Sequence, residues 1–349
     1  MRKEALALIK EGAFIPAMPL VLDENRHFDE AGQRRLIRYY LEAGVDGIAA
    51  AVHTTQFAIR DPKINLFEKV LTVAKTEIEK YRKKSGREVL AVAGVCGPIE
   101  QAVREAKLLK ELGFDAALLS PGGLNDRTED YLVERTQKVA EIIDVMGFYL
   151  QPAVGGRVFS YDYWARVCAI EGVKAIKCAA FSRYLTIDVA RAIAFGGNRV
   201  ALYTGNDDSI FSDLMTEFRF ADKDGEKSVK VVGGLLGHWA VWTNTSVKLF
   251  RELKKLNGEK ALDRKWMTIA AQVTDANSAF FDTANSFRGC IAGVHEVLRR
   301  QGLMKGIWCL DENETLSAGQ SEEISRVYAM YPELNDDAFV KEFLAKDKD

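Results

Sequence analysis

The stretch Val173-Lys174-Ala175-Ile176-Lys177-Cys178-Ala179-Ala180 is apolar apart from its two lysines. Side chains alternate along a strand, so Val173, Ala175 and Lys177 share one face while Lys174, Ile176 and Cys178 share the other. So short an apolar run between stretches of helical periodicity reads as a strand of a parallel sheet covered on both sides. Lys174 reads as a solvated surface charge. Lys177 sits at the strand end, where burial disfavours its ammonium form and frees the amine as a nucleophile toward a carbonyl.

Outward from this stretch, similar runs fall at about 14–21, 47–52, 89–95, 116–120, 147–152, 173–179, 200–205 and 229–234. Between them apolar residues recur at helical spacing, as in Leu36, Ile37, Tyr40 and Leu41, or Ala102, Ala106, Leu109 and Leu112. Gly44, Gly47, Gly113 and Gly147 read as helix C-caps opening the returns to the strands. Eight such repeats predict a closed α/β (β/α)8 TIM barrel rather than an open doubly wound sheet. The barrel is expected over 1–256. Helical periodicity through roughly 263–284, 286–302 and 319–346 predicts a helical C-terminal extension over 257–349, packed on the barrel or on a neighbouring subunit.

With 349 residues, 48% of them hydrophobic, the chain can bury a large core. Lys plus Arg number 48 and Asp plus Glu 50, a net charge of -2 with no basic half, so nucleic acid is not an expected partner. The five cysteines Cys96, Cys168, Cys178, Cys290 and Cys309 show no CxxC pair, which argues against a disulfide framework or a zinc knuckle and for a reducing cytoplasm. The run Ala5–Ile9 is too short for a signal-peptide core, and no segment reaches the ~20 apolar residues of a membrane span. His27, His53, His238 and His295 lack metal-ligand spacing, so no metal is expected.

In a barrel the reactive groups gather at the C-terminal strand ends. Here those ends are His53-Thr54-Thr55-Gln56, Ser120-Pro121-Gly122-Gly123, Tyr149-Leu150-Gln151-Pro152, Lys177, and Thr204-Gly205-Asn206-Asp207-Asp208. With Ile176-Lys177, Phe148-Tyr149 and Pro152, Thr54-Thr55 and the run Tyr203 to Asp208, the chain resembles the dihydrodipicolinate synthase and N-acetylneuraminate lyase superfamily of imine-forming class I aldolases over about residues 12–335. The resemblance implies that Lys177 forms a Schiff base with pyruvate or a related 2-keto acid, with no other cofactor, and that Tyr149 shuttles protons. It also implies that Thr54 and Thr55 hold the keto-acid carboxylate, that Gly205 lines the substrate site, and that the chain assembles as a homotetramer or homodimer. Aldol cleavage, condensation and dehydration all pass through the same enamine and stay open.

Several positions depart from the family pattern. The family's Gly-Thr-Thr-Gly-Glu is His53-Thr54-Thr55-Gln56-Phe57 here, and Gly122-Gly123 replace the tyrosine pair of dihydrodipicolinate synthases. The relay through that pair is therefore not expected, nor is that enzyme's activity. His53 and Gln56 could read the distal part of another substrate or act as acid and base. Arg157 could pair with a second carboxylate or lie on the surface. Asp207 and Asp208 read as the cap and first-turn acid of the next helix, and Gly233-Gly234 as tight-turn glycines or a phosphate cradle. A keto-acid sensor that kept the barrel without turnover is the alternative from another class.

Overall fold

The computed structural model describes residues 1–197, 199–223, 225–259 and 261–347, so residues 260, 348 and 349 of the expected extension lie outside the described residues. The strands are β1 (Phe14–Pro16), β2 (Gly47–Ala50), β3 (Leu90–Val95), β4 (Ala116–Leu119), β5 (Val145–Leu150), β6 (Val173–Ala179), β7 (Ala201–Thr204), β8 (Glu217–Asp222) and β9 (Gly225–Leu236). The first helices are α1 (Lys3–Glu11), α2 (Glu30–Ala43), α3 (Phe67–Ser85), α4 (Ile99–Glu111), α5 (Glu129–Ala140), α6 (Tyr161–Ala169), α7 (Arg183–Phe195) and α8 (Ile210–Met215). They are followed by α9 (Thr243–Lys255), α10 (Lys265–Phe280), α11 (Cys290–Arg300), α12 (Gln320–Met330) and α13 (Asp337–Lys346).

Strand order is β1-β9-β7-β6-β5-β4-β3-β2, with β8 off this path on the edge of β9. A parallel bridge from Ala17 to Ala49 joins the two ends of that order. The fold is a (β/α)8 barrel with a C-terminal run of helices, as the alternating runs predict. The eighth barrel strand is β9, which contains the expected run 229–234 and reaches beyond it at both ends. Its antiparallel partner β8 is an addition the periodicity did not reveal: Phe218 lies opposite Val229 and Phe220 opposite Lys227, in a segment that reads as helical between strands seven and eight.

One compact unit comprises residues 1–13 and 90–235. In it β3 and β5 are buried at every position, the signature of strands covered on both faces. Parallel register aligns Phe148 with Lys177 and Tyr203, and Tyr149 with Cys178 and Thr204. Gly147 is no cap. It lies inside β5, where an added Cβ would sit 3.4 Å from Ile176 and 3.8 Å from Trp164 and Val167 of α6. The start of α6 is fixed by Ser160, whose hydroxyl accepts from the Tyr163 N–H. The N-terminal run Ala5–Ile9 belongs to α1, which buries Ala5 and Ile9.

The second unit comprises residues 14–89 and 236–349. There buried Asp46 accepts from the Phe14 N–H and pairs with Arg251, tying β1 to the turn before β2 and to α9. Gly44 does cap α2, in the left-handed conformation, with its N–H on the carbonyls of Tyr40 and Leu41. The helical stretch expected over 319–346 is two helices, α12 and α13, because Pro332 cannot continue the first. Asp336 anchors the second, accepting from the Tyr39 hydroxyl at 2.6 Å and the Asn244 N–H at 2.9 Å. Among the described residues no helix is long and apolar enough to cross a membrane.

Candidate active site

Lys177 lies at the C-terminal end of β6 and is only 7% exposed. Its Nζ sits 4.4 Å from the centre of the Phe148 ring, its register partner on β5. On the other side β7 ends at Thr204, and the Gly205 N–H donates to the Cys178 carbonyl at 2.7 Å, keeping the chain against β6 beyond the strand. A Cβ on Gly205 would stand 2.5 Å from Lys177 Cε and 2.9 Å from Lys177 Cγ. The missing side chain is therefore what gives the lysine stem its place. Lys174, by contrast, reaches the surface and lies 3.5 Å from Asp144.

Burial lowers the Lys177 amine from its ordinary range to about 8, and the nearby Asp207 charge opposes part of that fall. At pH 7.5 a group titrating at about 8 is roughly one-quarter neutral, against about one part in a thousand for a reference lysine near ~10.4. Phenyl rings attract cations, so Phe148 offsets a fraction of the desolvation.

The structure does not bring Tyr149 and Lys177 together. They fall one register step apart, and neighbouring strand positions face opposite sides. Tyr149 points to the helix layer: its ring lies 5.2 Å from Trp164 of α6 and 5.5 Å from Phe159. Its hydroxyl accepts from the Phe159 N–H at 3.2 Å, and burial pushes the phenol up. Its partner Cys178 faces the same way, with its Sγ donating to Thr186 of α7. The phenol aligned with the lysine is Tyr203, whose hydroxyl is held between the Ile9 carbonyl and the Ala13 N–H.

Asp207 and Asp208 do not cap the next helix. Ser209 holds the N-cap position of α8, and its side chain makes no cap bond. Around them a buried network fixes the chain beyond β7. Asp213 accepts from the Thr204 hydroxyl at 2.6 Å and the Asn206 amide at 2.9 Å, and pairs with Arg183 at 2.7 Å. The Asn206 side-chain Oδ1 accepts from the Phe181 N–H at 2.9 Å. Asp207, 5% exposed, is the residue of this turn whose charge acts on Lys177. The sequence signal for it is the pair of acids ending strand seven, which by position alone reads as helix capping.

Arg157 donates to the Arg127 carbonyl at 2.6 Å and lies 5.4 Å over the Phe159 ring. Gly155 adopts φ 89°, and a Cβ on Gly156 would overlap the Leu150 carbonyl oxygen at 1.8 Å, so two glycines turn this segment back on the end of β5. Gly233 is likewise a close-approach glycine, with its would-be Cβ 2.5 Å from the Ala13 carbonyl oxygen.

In the second unit, Thr54 and Thr55 are buried in a short 3-10 turn after β2. The Thr54 hydroxyl donates to the Ala17 carbonyl at 2.9 Å and that of Thr55 to the Met18 carbonyl at 2.6 Å, so both protons are already committed. Left-handed Ala51 (φ 54°) and Gln56 (φ 66°) bracket the turn, a conformation that costs a non-glycine residue about 1–2 kcal/mol. Gln56 stands where the family pattern has glycine. Its Oε1 accepts from the Leu310 N–H at 2.6 Å and its Nε2 is a buried donor without a partner. His53 is half-buried, its ring 6.0 Å from that of Phe57. Among the described residues no group of three His, Cys, Asp or Glu side chains could hold a metal ion.

The model of the dihydrodipicolinate synthetase family matches residues 10–217, from before β1 to the start of β8. The chain belongs to this family. Among curated relatives it is 29% identical over 181 residues to a 4-hydroxy-tetrahydrodipicolinate synthase of Syntrophobacter fumaroxidans, covering 51% of this chain and 58% of that one. It is 27% identical over 203 residues to the enzyme of the same name from Methylococcus capsulatus, covering 55% and 63%. The matches span less than two thirds of either relative. Dihydrodipicolinate synthase from Oceanobacillus iheyensis superposes with a TM-score of 0.73 at 18% identity, over 94% of this chain and 99% of that one. N-acetylneuraminate lyase from Fusobacterium nucleatum does so with a TM-score of 0.70 at 16% identity, over 92% and 99%. At these identities the superpositions establish the shared fold.

Two outcomes follow for this family member. A lysine titrating at about 8 in the folded chain and near ~10.4 unfolded binds fewer protons when folded between those values, so its contribution to stability rises with pH across that window. Below it the buried charge costs on the order of 3 kcal/mol, so Lys177→Met is expected to raise Tm at pH 7 and to lose that advantage by pH 10; an unchanged or lower Tm at pH 7 contradicts the burial argument. Gly205→Ala is expected to keep the fold, as judged by circular dichroism, but to slow covalent capture at Lys177 by about 10²-fold, because a displacement of about 1 Å suffices. Capture at the wild-type rate would show that the stem has other room.

Proposed function

We propose that the chain is a lyase acting on pyruvate or a pyruvate-derived 2-keto acid through a Schiff base on Lys177. The observation that carries this reading is the amine itself: buried at the C-terminal end of a barrel strand, brought to about 8, and seated in a gap left by Gly205. A structural lysine gains nothing from burial, since the charge would be better solvated at the surface. A nucleophilic amine needs it, because only the neutral form attacks a carbonyl carbon. The curated relatives carry the name 4-hydroxy-tetrahydrodipicolinate synthase, which supports an enzyme rather than a binding protein.

Within the second unit the Thr54 and Thr55 hydroxyl protons already serve the Ala17 and Met18 carbonyls, and the Thr55 N–H serves the Val52 carbonyl. Gln56, a side chain in place of glycine, keeps a buried amide donor to spare in the same turn. Substitution at the family's Gly-Thr-Thr-Gly-Glu stretch and the absence of the tyrosine pair at Gly122-Gly123 favour a substrate other than that of dihydrodipicolinate synthase.

Intact-mass analysis after pyruvate and borohydride tests the reading. One reduced pyruvyl adduct per chain is expected, mapped to Lys177 and absent from Lys177→Arg, whose guanidinium stays protonated. Labelling should increase with pH through a midpoint near 8. No adduct in the unsubstituted chain would falsify the imine mechanism. A turnover screen across sugar-acid and aromatic 2-keto acids then separates an enzyme from a sensor and identifies the substrate.

A further inference from the structure

In the second unit two arginines converge on the chain where α2 turns into β2. Arg87, just before β3, donates from Nη2 to the Gly44 carbonyl at 3.2 Å and to the Val45 carbonyl at 3.3 Å, and from Nη1 to the Tyr81 hydroxyl at 3.0 Å. Arg251 of α9 donates from its own Nη2 to the same Gly44 oxygen at 3.1 Å. Two guanidinium groups that share one carbonyl oxygen stand close enough to repel each other, and bonds to the main chain hold them there. Gly44 leaves room beside them: an added Cβ would meet only Val247 within 4 Å, at 3.7 Å.

More positive charge comes from α9. Lys248, Arg251 and Lys255 fall at i, i+3 and i+7 and so line one side of that helix. With Gly44, Arg87 and Val247 they border a solvent-open cleft of about 590 Å³, inside the roughly 300–1,000 Å³ range of small-molecule sites. Among the described residues no carboxylate lies within ion-pair distance of Arg87, Lys248 or Lys255. The acids at hand are committed: Asp46 pairs with Arg251 and accepts from the Phe14 N–H, and Glu252 pairs with Lys265 at 2.7 Å. The neighbouring α3 shows the ordinary solvated arrangement, with Lys75 beside Glu79 and Lys80 beside Glu77. Lys255, in the last turn of α9, also complements the helix dipole, but Lys248 in its middle and Arg87 outside it do not.

We infer that this cleft, at the end of β2 opposite the Thr54–Thr55 turn, binds a small molecule through a diphosphate group. Guanidinium forks and ammonium groups donate to phosphate oxygens with charge assistance, and the arginines here are already held in place by main-chain carbonyls. A diphosphate spreads several negative charges over two phosphorus centres, which lets it meet the arginine pair and the α9 lysines together. A single carboxylate would leave most of these cations unmatched. Val247 offers apolar surface to the part of the molecule beyond the phosphates. Neither Lys177 nor the turn after β2 lines the cleft, so this binding is separate from the imine chemistry.

Isothermal titration of the full chain with inorganic pyrophosphate at constant ionic strength reads the site. Saturable binding is expected, weakened by at least about tenfold when Lys248→Glu and Lys255→Glu are combined, since a hydrogen bond to a charged group is worth about that factor. Lys63→Glu combined with Lys341→Glu changes the net charge equally outside the cleft and is expected to bind as the unsubstituted chain does. All four lysines are exposed, so both variants are expected to keep the fold, as judged by circular dichroism. The assignment is overturned by the absence of saturable binding up to about 10 mM, by equal weakening in the two variants, or by inorganic phosphate binding as tightly as pyrophosphate. It is overturned as well by a short DNA duplex that binds more tightly than pyrophosphate through the same two lysines, which would make this face a nucleic-acid surface.

Discussion

Burying an amine at a strand end constrains everything around it. An ammonium taken out of water loses hydration that no single neighbour restores, so the nitrogen becomes partly neutral at ordinary pH. The surroundings of Lys177 moderate that loss without cancelling it. Phe148 offers a ring face, Asp207 offers a charge, and Gly205 offers space where any side chain would push the stem aside. Full neutralisation by a bidentate carboxylate would have fixed the ammonium and removed the nucleophile. Full burial among hydrocarbon would have cost still more stability.

Rigidity near the lysine comes from groups that never need to touch a substrate. The network of Thr204, Asn206, Asp213, Thr186 and Arg183 fixes the chain that carries Gly205 and Asp207. The turn after β2 shows a different economy. Its threonine hydroxyls serve the carbonyls at the end of β1, and the backbone holds Ala51 and Gln56 in left-handed conformations. Strain of that kind, together with an unpartnered buried amide, persists where surrounding structure over-determines it and is a common mark of a ligand-facing segment.

Much of the architecture was legible because barrel strands are apolar on both faces and their helices on one, and the two periods differ enough to be read apart. Hence the eight runs and Lys177 at the end of the sixth. The additional strand β8 escaped because a segment in which Phe218 and Phe220 alternate with polar residues is too short to distinguish from a helix turn by period alone. The C-terminal helices were legible as helices, but the break at Pro332 marks a boundary that periodicity had bridged. Gly147 reads as a cap because glycine next to an apolar run usually is one, whereas here it lies inside β5, packed under Ile176 and α6.

By itself the sequence determined the eight barrel strands, the helical tail, the family and the lysine, since each depends on residue type and spacing. Which face of β5 meets Lys177 was decided only in the folded sheet. Register shifts by one residue between Val145 and Met146, and a single step exchanges every side chain between the two sides of a strand. That irregularity puts Phe148 rather than Tyr149 opposite the amine. The influence of Asp207 on the Lys177 amine was equally hidden, because a charge thirty residues away in sequence comes to bear only when two parallel strands are laid side by side.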